Sequence, residues 1–173
     1  QDEGSQLISI LCDAKPGMRV IDYCAGAGGK TLALADHFNE CIYAHDGIPN
    51  RLIPLEARAE RAGAEVMLIN SNSLKREHYG LVFADVPCSG SGSWRRDPTG
   101  KWRLHADQLK ELIATQYSIL TKAQHCLRCG GLLVYATCSV LKRENNDQIK
   151  RFLMELHIFL VAYLQIKMVM IQY

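Results

Sequence analysis

Residues 81–92, with the sequence LVFADVPCSGSG, constrain the fold more than any other part of this chain. Their first half is a short apolar run, which predicts a strand buried on both faces of a parallel sheet. Asp85 ends the run, and Pro87 stops further ladder pairing because proline has no N–H to donate. Cys88 follows in a Ser/Gly segment where the backbone can approach a ligand closely. Open α/β sheets bind ligands at the carboxyl ends of their strands, so this acid and this thiol mark a candidate site.

Short apolar segments alternate with amphipathic ones along the rest of the chain. The pattern predicts strands at residues 19–24, 41–46, 66–69, 81–85 and 131–136, and helices at 1–14, 30–38, 51–62, 106–129 and 145–156. Such alternation predicts an α/β fold with a mostly parallel, doubly wound sheet and helices on both faces. The apolar tail from residue 158 is predicted to form a final β-hairpin.

Length and composition limit the alternatives. A chain of 173 residues suits a single domain, residues 1–173, and its opening suggests a piece cut from a longer protein. Seven scattered cysteines and no secretory signal predict a reducing, cytoplasmic location. No apolar run has the length of a membrane span, so no membrane partner is expected. A net charge of +2 permits a nucleic-acid partner without arguing for one.

The glycine-rich turn at residues 20–31, VIDYCAGAGGKT, predicts a cofactor site between a strand and a helix. Its backbone N–H groups would face the positive end of a helix dipole, which suits an anionic or polar ligand group. A phosphate-binding P-loop would need glycine in place of Cys24, and a dinucleotide-binding turn would need glycine in place of Thr31. A nucleoside cofactor such as S-adenosylmethionine has no pyrophosphate and tolerates both departures.

Asp46 supports the nucleoside interpretation. It ends the second predicted strand, twenty residues after Gly26, where an acid can accept hydrogen bonds from both ribose hydroxyls. The predicted cofactor-binding set therefore joins this acid to the turn: Cys24, Ala25, Gly26, Ala27, Gly28, Gly29, Lys30 and Asp46.

A second thiol, Cys138, follows the fifth predicted strand in the sequence YATCSV. Strands four and five should be neighbours, so Cys88 and Cys138 are expected to meet over one cleft. Two thiols there could form a metal pair, a redox pair or a catalytic pair. Neither has a histidine at ligand spacing, which disfavours a metal.

The motifs DVPCSG (residues 85–90) and ATCS (residues 136–139) resemble those of the RNA cytosine-5 methyltransferases of the RsmB/Sun (NOL1/NOP2/NSUN) family. The resemblance extends from QDEGSQ at residues 1–6, through CAGAGGKT at 24–31, to ENN at 144–146. It implies a Rossmann-like, S-adenosylmethionine-dependent methyltransferase catalytic domain without the N-terminal RNA-binding region of the family. It also implies RNA as the partner, with ribosomal RNA as the expected substrate. The alternatives are a transfer RNA substrate, or a non-catalytic RNA-binding scaffold with the same fold.

The resemblance implies a role for each reactive group. Cys138 would attack C6 of the cytosine, which makes C5 nucleophilic toward the methyl group. Cys88 would assist release of the product. Asp85 would hydrogen-bond to N3 of the base, stabilising charge that develops after attack, and belongs to the cofactor-binding set as well.

Several residues depart from the family pattern. Ala27 replaces a more usual proline, and Gly47-Ile48 replaces a hydrophobic and an acidic residue before Pro49. The acid expected after the third strand is missing, and Asn72 is predicted to substitute for it. The tail, residues 157–173, does not resemble the usual ending.

Two other segments carry hypotheses. Residues 93–103 combine cations with tryptophans, which suits phosphate contacts and stacking on an unpaired base; the alternative is a solvated loop with one packed tryptophan. The predicted RNA-binding residues are Trp94, Arg95, Arg96, Lys101, Trp102 and Arg103. The CLRC sequence at 126–129, beside His125, has no evident partners, so buried or idle thiols are expected and no metal is predicted.

Overall fold

The computed structural model describes residues 3–160 and 167–172, and within these ranges it contains six strands and six α-helices. The strands are β1 (Val20–Asp22), β2 (Ile42–Ala44), β3 (Val66–Leu68), β4 (Tyr79–Asp85), β5 (Leu127–Thr137) and β6 (Lys167–Gln172). The helices are α1 (Glu3–Leu11), α2 (Gly29–Phe38), α3 (Ile53–Ala62), α4 (Pro98–Arg103), α5 (Ala106–Ala123) and α6 (Asn146–Leu160).

The six strands form one sheet in the order β3-β2-β1-β4-β5-β6, and every neighbouring pair is parallel. The chain moves outward from β1 to β3 and then returns to place β4 on the other side of β1. This reversal opens a crevice between the carboxyl ends of β1 and β4, the usual ligand position in such sheets. The predicted doubly wound, parallel α/β architecture is confirmed.

Helices cover both faces of the sheet because successive strand residues point to opposite sides. On one face, Ile21 and Val82 pack in the core cluster that α5 and α6 cover, through residues such as Leu120 and Phe152. On the other face, α1 and α2 cover a second cluster of buried side chains: Ile8, Cys12, Val20, Leu34, Ala35, Ile42, Leu81, Phe83, Val134 and Ala136. None of the helices in the described residues is long and apolar enough to cross a membrane.

Two predicted elements are wrong in extent or kind. The helix predicted for residues 106–129 ends at Ala123, and Leu127 instead begins β5, paired with Tyr79 of β4. The predicted C-terminal hairpin is replaced by an extension of α6 to Leu160 and by β6, a single strand parallel to β5. Residues 161–166 of that prediction lie outside the described part of the chain.

Candidate functional site

A cleft of about 1500 Å³ opens at the carboxyl ends of the strands. Its volume exceeds the 300–1,000 Å³ usual for a single small ligand, so it can hold a cofactor and a second group together. Many of the predicted site residues line this one cleft: Cys24, Ala25, Gly26, Ala27, Asp46, Asp85, Cys88 and Cys138. The cleft thus brings together the glycine-rich turn, the two acids and both thiols.

Gly28 and Gly29 shape the cofactor turn and are not among the residues that line the cleft. Gly28 is the N-cap of α2 and has a φ of 82°, in the left-handed region that glycine favours. A Cβ added there would lie 2.0 Å from Cδ1 of Leu55, so this glycine also lets α3 pack against the turn. Gly29 is the first residue of α2.

Asp46 is buried at the end of β2 and held by two backbone amides. Its Oδ2 accepts a hydrogen bond from the Gly26 N–H at 3.0 Å, and its Oδ1 accepts one from the Ile48 N–H at 2.8 Å. A carboxylate has about four acceptor positions, so these two bonds fix its orientation and leave acceptor capacity for a ligand. Ile48 lines the cleft with 55% of its surface exposed, which gives the unusual Gly47-Ile48 sequence an apolar contact surface beside the acid.

The structure does not support Asn72 as the substitute for the missing acid. Asn72 is exposed and is not among the residues that line the cleft, whereas its neighbour Ser71 does line it. The Ser71 hydroxyl lies 3.0 Å from Nε2 of His45, whose Nδ1 is 2.8 Å from the Tyr23 carbonyl oxygen. Burial lowers the pKa of His45, which favours a neutral ring at this position. The geometry therefore favours Ser71 on this side of the cleft.

The two predicted thiols are in direct contact, as expected from neighbouring strands. The sulfur atoms of Cys88 and Cys138 lie 3.3 Å apart, a hydrogen-bond contact far longer than a disulfide bond. The hydrogen bond from the Cys88 thiol lowers the pKa of Cys138 to about 7, and the positive charge of Lys30 acts in the same direction. The same contact and burial raise the pKa of Cys88. The two opposite directions favour Cys138 over Cys88 as the thiolate of the pair.

Lys30 and Asp85 form an ion pair beside the thiols. The Lys30 Nζ lies 2.7 Å from Oδ2 of Asp85, and their side chains are only 16% and 25% exposed. Lys30 is not among the residues that line the cleft, but its position in α2 directs its charge to the acid that does. The charges of Lys30 and Asp85 therefore lie close enough to the Cys138 sulfur to affect its pKa.

Asp22, at the end of β1, is a buried acid to which the sequence assigned no role. Burial and the nearby charge of Asp85 raise its pKa to about 7, against the opposing hydrogen bond from the Thr31 hydroxyl at 2.7 Å. This bond ties the last residue of β1 to the first turn of α2, so it fixes the entry and exit of the cofactor turn. In the sequence, this contact was indicated only by an acid, Asp22, before the glycine-rich turn and a threonine, Thr31, after it.

The far wall of the cleft comes from α5, which the sequence indicated only as a helix. Ala114, Ser118 and Lys122 recur at intervals of four, so they share one face of the helix and line the cleft together. Two small residues on this face leave room for a ligand. The i, i+4 spacing was the available signal, and it is weak because small residues are common on helices.

The predicted RNA-binding segment is partly helical, which the alternative of a simple solvated loop does not describe. Residues 98–103 form α4, and Lys101, Trp102 and Arg103 lie on it. Trp102 is 79% exposed, and Arg95, Arg96, Lys101 and Arg103 are exposed too, whereas Trp94 is half-buried. Arg103 also lines a second cavity of about 470 Å³ that shares Cys88 with the main cleft. The segment therefore borders Cys88 through Arg103.

The CLRC sequence does not form a paired site. Cys126 is buried at the inner end of the cleft, and Cys129 is exposed on β5. Across the described residues, no group of three or more His, Cys, Asp or Glu side chains is placed to hold a metal ion.

Comparisons with known proteins agree with this geometry. The model of the family described as 16S rRNA methyltransferase RsmB/F matches residues 9–168. Ribosomal RNA small subunit methyltransferase B of Pseudomonas syringae pv. tomato is 35% identical over 161 residues, which is 88% of this chain and 36% of the relative. The enzyme of the same name from Salmonella paratyphi B is 33% identical, over 88% of this chain and 37% of its own length. The chain thus spans little more than a third of these relatives.

Solved structures show the same fold. The crystal structure of PH0851 superposes with a TM-score of 0.84 and 34% identity, covering 90% of this chain and 37% of that one. The structure of NSun6 from Pyrococcus horikoshii, solved with SFG, gives a TM-score of 0.77 and 26% identity, covering 90% of this chain and 41% of that one.

Proposed function

Since the chain belongs to the 16S rRNA methyltransferase RsmB/F family, we propose that it is the catalytic domain of an RNA cytosine-5 methyltransferase. S-adenosylmethionine is the methyl donor, and a cytosine of ribosomal RNA is the acceptor. The contact between the Cys88 and Cys138 sulfur atoms carries the proposal, because it places two thiols that can share a proton at one point of the cleft. The named relatives act on small-subunit ribosomal RNA, which favours this substrate class.

The residues present fit S-adenosylmethionine. Asp46 offers a fixed, buried carboxylate to a ribose, and Ile48 offers an exposed apolar surface beside it. The backbone at residues 24–27 lines the same cleft and suits the polar amino-acid end of the cofactor. A related structure, that of NSun6, was solved with SFG, an analogue of this cofactor. When bound, the cofactor supplies an electrophilic methyl group.

Cys138 begins the reaction by forming a bond from its sulfur to C6 of the cytosine. The electron pair of the C5–C6 double bond moves onto C5 and toward N3, and C5 becomes nucleophilic enough to take the methyl group. Removal of the C5 proton then restores the double bond as the bond from sulfur to C6 breaks. Cys88 assists this release step: it passes its own proton to solvent and then accepts the C5 proton. The Cys138 thiolate and the Cys88 thiol are regenerated, and one proton is released per turnover.

Asp85 and Lys30 stabilise charge during the attack. Addition of a thiolate places negative charge on the pyrimidine ring, and a preorganised polar pair reduces the cost of that charge. Asp85 lines the cleft, where its carboxylate can accept a hydrogen bond from N3 once attack at C6 makes N3 basic enough to take up a proton from solvent, while Lys30 holds the acid in place. The exposed cations of residues 95–103 supply phosphate contacts, and Arg103 among them shares a cavity with Cys88.

Calorimetric titration with S-adenosylmethionine, followed by a methyl-transfer assay on small-subunit ribosomal RNA, tests the proposal. Asp46→Ala should weaken cofactor binding by roughly 1.5–3 kcal/mol, the range for hydrogen bonds to a charged group. Asp36→Ala, an exposed acid on α2, is the matched control and should bind normally. Absence of cofactor binding by the unaltered chain would contradict the proposal, and equal affinity in both variants would remove Asp46 from the cofactor site.

A further inference from the structure

Glu144 connects the two loops that carry the reactive thiols. Its carboxylate accepts hydrogen bonds from the backbone N–H of Ser89 at 2.8 Å, from the Ser89 hydroxyl and from the Ser139 hydroxyl. A fourth bond comes from the Gln116 side-chain amide of α5, at 2.9 Å. Glu144 itself is fully buried. One buried carboxylate is therefore bonded to three separate parts of the chain.

The positions of Ser89 and Ser139 in the sequence connect this cluster to the two thiols. Ser89 follows Cys88 directly, and Ser139 follows Cys138 directly. The β4–β5 ladder pairs Asp85 with Ala136, two to three residues before the thiols. Beyond that point the relative position of the sulfurs depends on contacts between the loops, and Glu144 bonds to the residue after each sulfur.

Neighbouring groups hold the carboxylate rigid. The Gln116 amide also donates to the Pro87 carbonyl oxygen at 3.0 Å, so α5 is tied both to the Cys88 loop and to Glu144. Asn145 accepts from the Thr137 hydroxyl at 2.7 Å and donates to the Ser139 carbonyl oxygen at 2.8 Å. The Tyr135 hydroxyl donates to the Glu144 carbonyl oxygen at 2.7 Å.

The energetics favour a positioning role over a generic stabilising one. A buried carboxylate loses its hydration, and an apolar side chain of similar volume would fill the space without that cost. What the carboxylate adds is direction, because its two oxygens accept donors from two loops at fixed angles. We propose that Glu144 is a positioning residue that sets the separation of the Cys88 and Cys138 sulfur atoms by hydrogen-bonding to the residue after each thiol. The inference deepens the proposed function and rests on it for its catalytic meaning.

The pH profile of Cys138 alkylation tests the proposal without any assay of methyl transfer. Iodoacetamide labelling, read for each cysteine by peptide mass spectrometry, reports the thiolate fraction of Cys138 at each pH. Glu144→Ala removes the carboxylate that bonds to both loops and leaves only their direct hydrogen bonds, such as the one from the Gly92 N–H to the Cys138 carbonyl oxygen. The sulfurs should therefore separate, and the Cys138 profile should move to higher pH. The labelling rate near pH 7 should fall by about tenfold, as expected when a thiol returns toward an unperturbed pKa.

Glu144→Gln distinguishes geometry from charge. The amide oxygen of the variant can still accept from the Ser89 N–H and from Gln116, and its NH₂ can donate to the two serine hydroxyls. It should therefore keep most of the wild-type profile. A glutamine variant as impaired as the alanine variant would overturn the proposal, because the charge would then matter and the connection would not. Glu60→Ala, an exposed glutamate on α3, is the control and should label as the wild type does.

Ser139→Ala covers the case in which Glu144→Ala does not fold. It removes one hydroxyl from the Cys138 side of the cluster, and it should shift the profile in the same direction by a smaller amount. Labelling of buried Cys12 reports any global unfolding in the same sample. A folded Glu144→Ala protein with a wild-type Cys138 profile would overturn the proposal. So would an unfolded Glu144→Ala protein together with an unshifted Ser139→Ala profile.

Methyl transfer is measured separately on the same proteins. A shifted profile in Glu144→Ala with an inactive wild type would keep the positioning role and reject the proposed function. An active wild type with an unshifted Cys138 profile in Glu144→Ala would keep the proposed function and reject the positioning role.

Discussion

Two pairs of cysteines in this chain have opposite relations between sequence and structure. Cys88 and Cys138 are separated by fifty residues, yet their sulfurs lie 3.3 Å apart. Cys126 and Cys129 are separated by three residues and have unlike surroundings, one buried and the other exposed. The first pair follows two parallel strands, β4 and β5, at the carboxyl edge of the sheet, whereas the second lies at the opposite end of β5.

The electrostatic surroundings of the pairs differ as well. Cys138 has a thiol donor in Cys88 and a cation in Lys30, and both lower its pKa. Burial raises the pKa of Cys126, and the charge of Arg76 offsets only part of that effect. A buried thiol without a strong stabiliser of its anion is a poor nucleophile. Spacing along the sequence therefore says little about thiol reactivity, and position in the sheet says much more.

Replacing each cysteine by serine should give the largest contrast. Cys138→Ser should abolish methyl transfer and any covalent adduct with RNA, because a serine hydroxyl is far less nucleophilic than a thiolate near neutral pH. Cys88→Ser should allow attack and methylation but stall release, leaving methylated RNA bonded to the protein as a denaturant-resistant gel band. Cys129→Ser, the matched control, should behave as the wild type.

Trapping with 5-fluorocytosine RNA checks the assignment in the unaltered protein. The fluorine at C5 blocks loss of the ring substituent, so the wild type should form a similar stable adduct. The reverse pattern, with the adduct in Cys138→Ser and none in Cys88→Ser, would move the nucleophile to Cys88. Full methylation by Cys138→Ser would end the proposed mechanism.

The pH dependence of alkylation should also distinguish Cys138 from Cys126, with a smaller difference than the serine replacements should give. With a pKa of about 7, Cys138 is about half thiolate at pH 7, whereas a thiol of pKa about 8.5 is about 3% thiolate. Because thiolate is the reacting form, labelling of Cys138 should rise through pH 7 and exceed that of Cys126 by more than tenfold there. A Cys138 profile with its midpoint above pH 8.5 would contradict the assignment of the thiolate.

Lys30→Met should shift the Cys138 labelling profile to higher pH and lower the labelling rate at pH 7 by several-fold. The substitution removes a charge that lowers the pKa of Cys138 and leaves Asp85, whose charge raises it, without its ion-pair partner. Both changes act in the same direction. Lys30→Arg keeps the positive charge and should recover most of the reactivity. Identical profiles for methionine and wild type would mean that the lysine charge does not reach the sulfur.

Much of this site could be predicted from the sequence because topology determines it. Parallel strands place their carboxyl ends at one edge, so residues that follow an apolar run, such as Asp85, Cys88 and Cys138, converge whatever their separation. The same argument placed Asp46 beside the glycine-rich turn. These predictions needed only the strands and their order.

Residues that reach the site from helices and loops could not be predicted in this way. Glu144 follows the Cys138 loop in a short turn, and Gln116 lies in the middle of α5. Their contacts depend on how helices pack against the sheet. The sequence shows only that such helices are amphipathic, which fixes neither their position along the sheet nor the polar groups they meet.

The misplaced end of the long helix has a similar cause. The apolar pattern continues past Ala123, but Leu127 gains more by pairing with Tyr79 than by extending a helix. The register of this pairing shifts between Tyr79 and Leu81, opposite Gly130 and Gly131. A Cβ on Gly131 would lie 2.7 Å from the Leu127 side chain, so the glycines mark an irregularity in a strand.

The smallest expected effects concern Cys126 and Cys129, and they should appear in stability alone. Cys126→Ala removes a sulfur atom from the core cluster around Tyr79 and Leu127, and deletion of a small buried group should lower the free energy of unfolding by about 1 kcal/mol. Cys129→Ala changes an exposed side chain and should stay within about 0.5 kcal/mol of the wild type. Urea unfolding measures both values, and methyl transfer by the folded variants should be unchanged because both thiols lie at the opposite end of β5 from Cys138, although Cys126 lines the cleft. A large loss of activity in a stable Cys126→Ala protein would contradict the contrast between the two pairs. The part of the cleft that Cys126 lines would then take part in binding or chemistry.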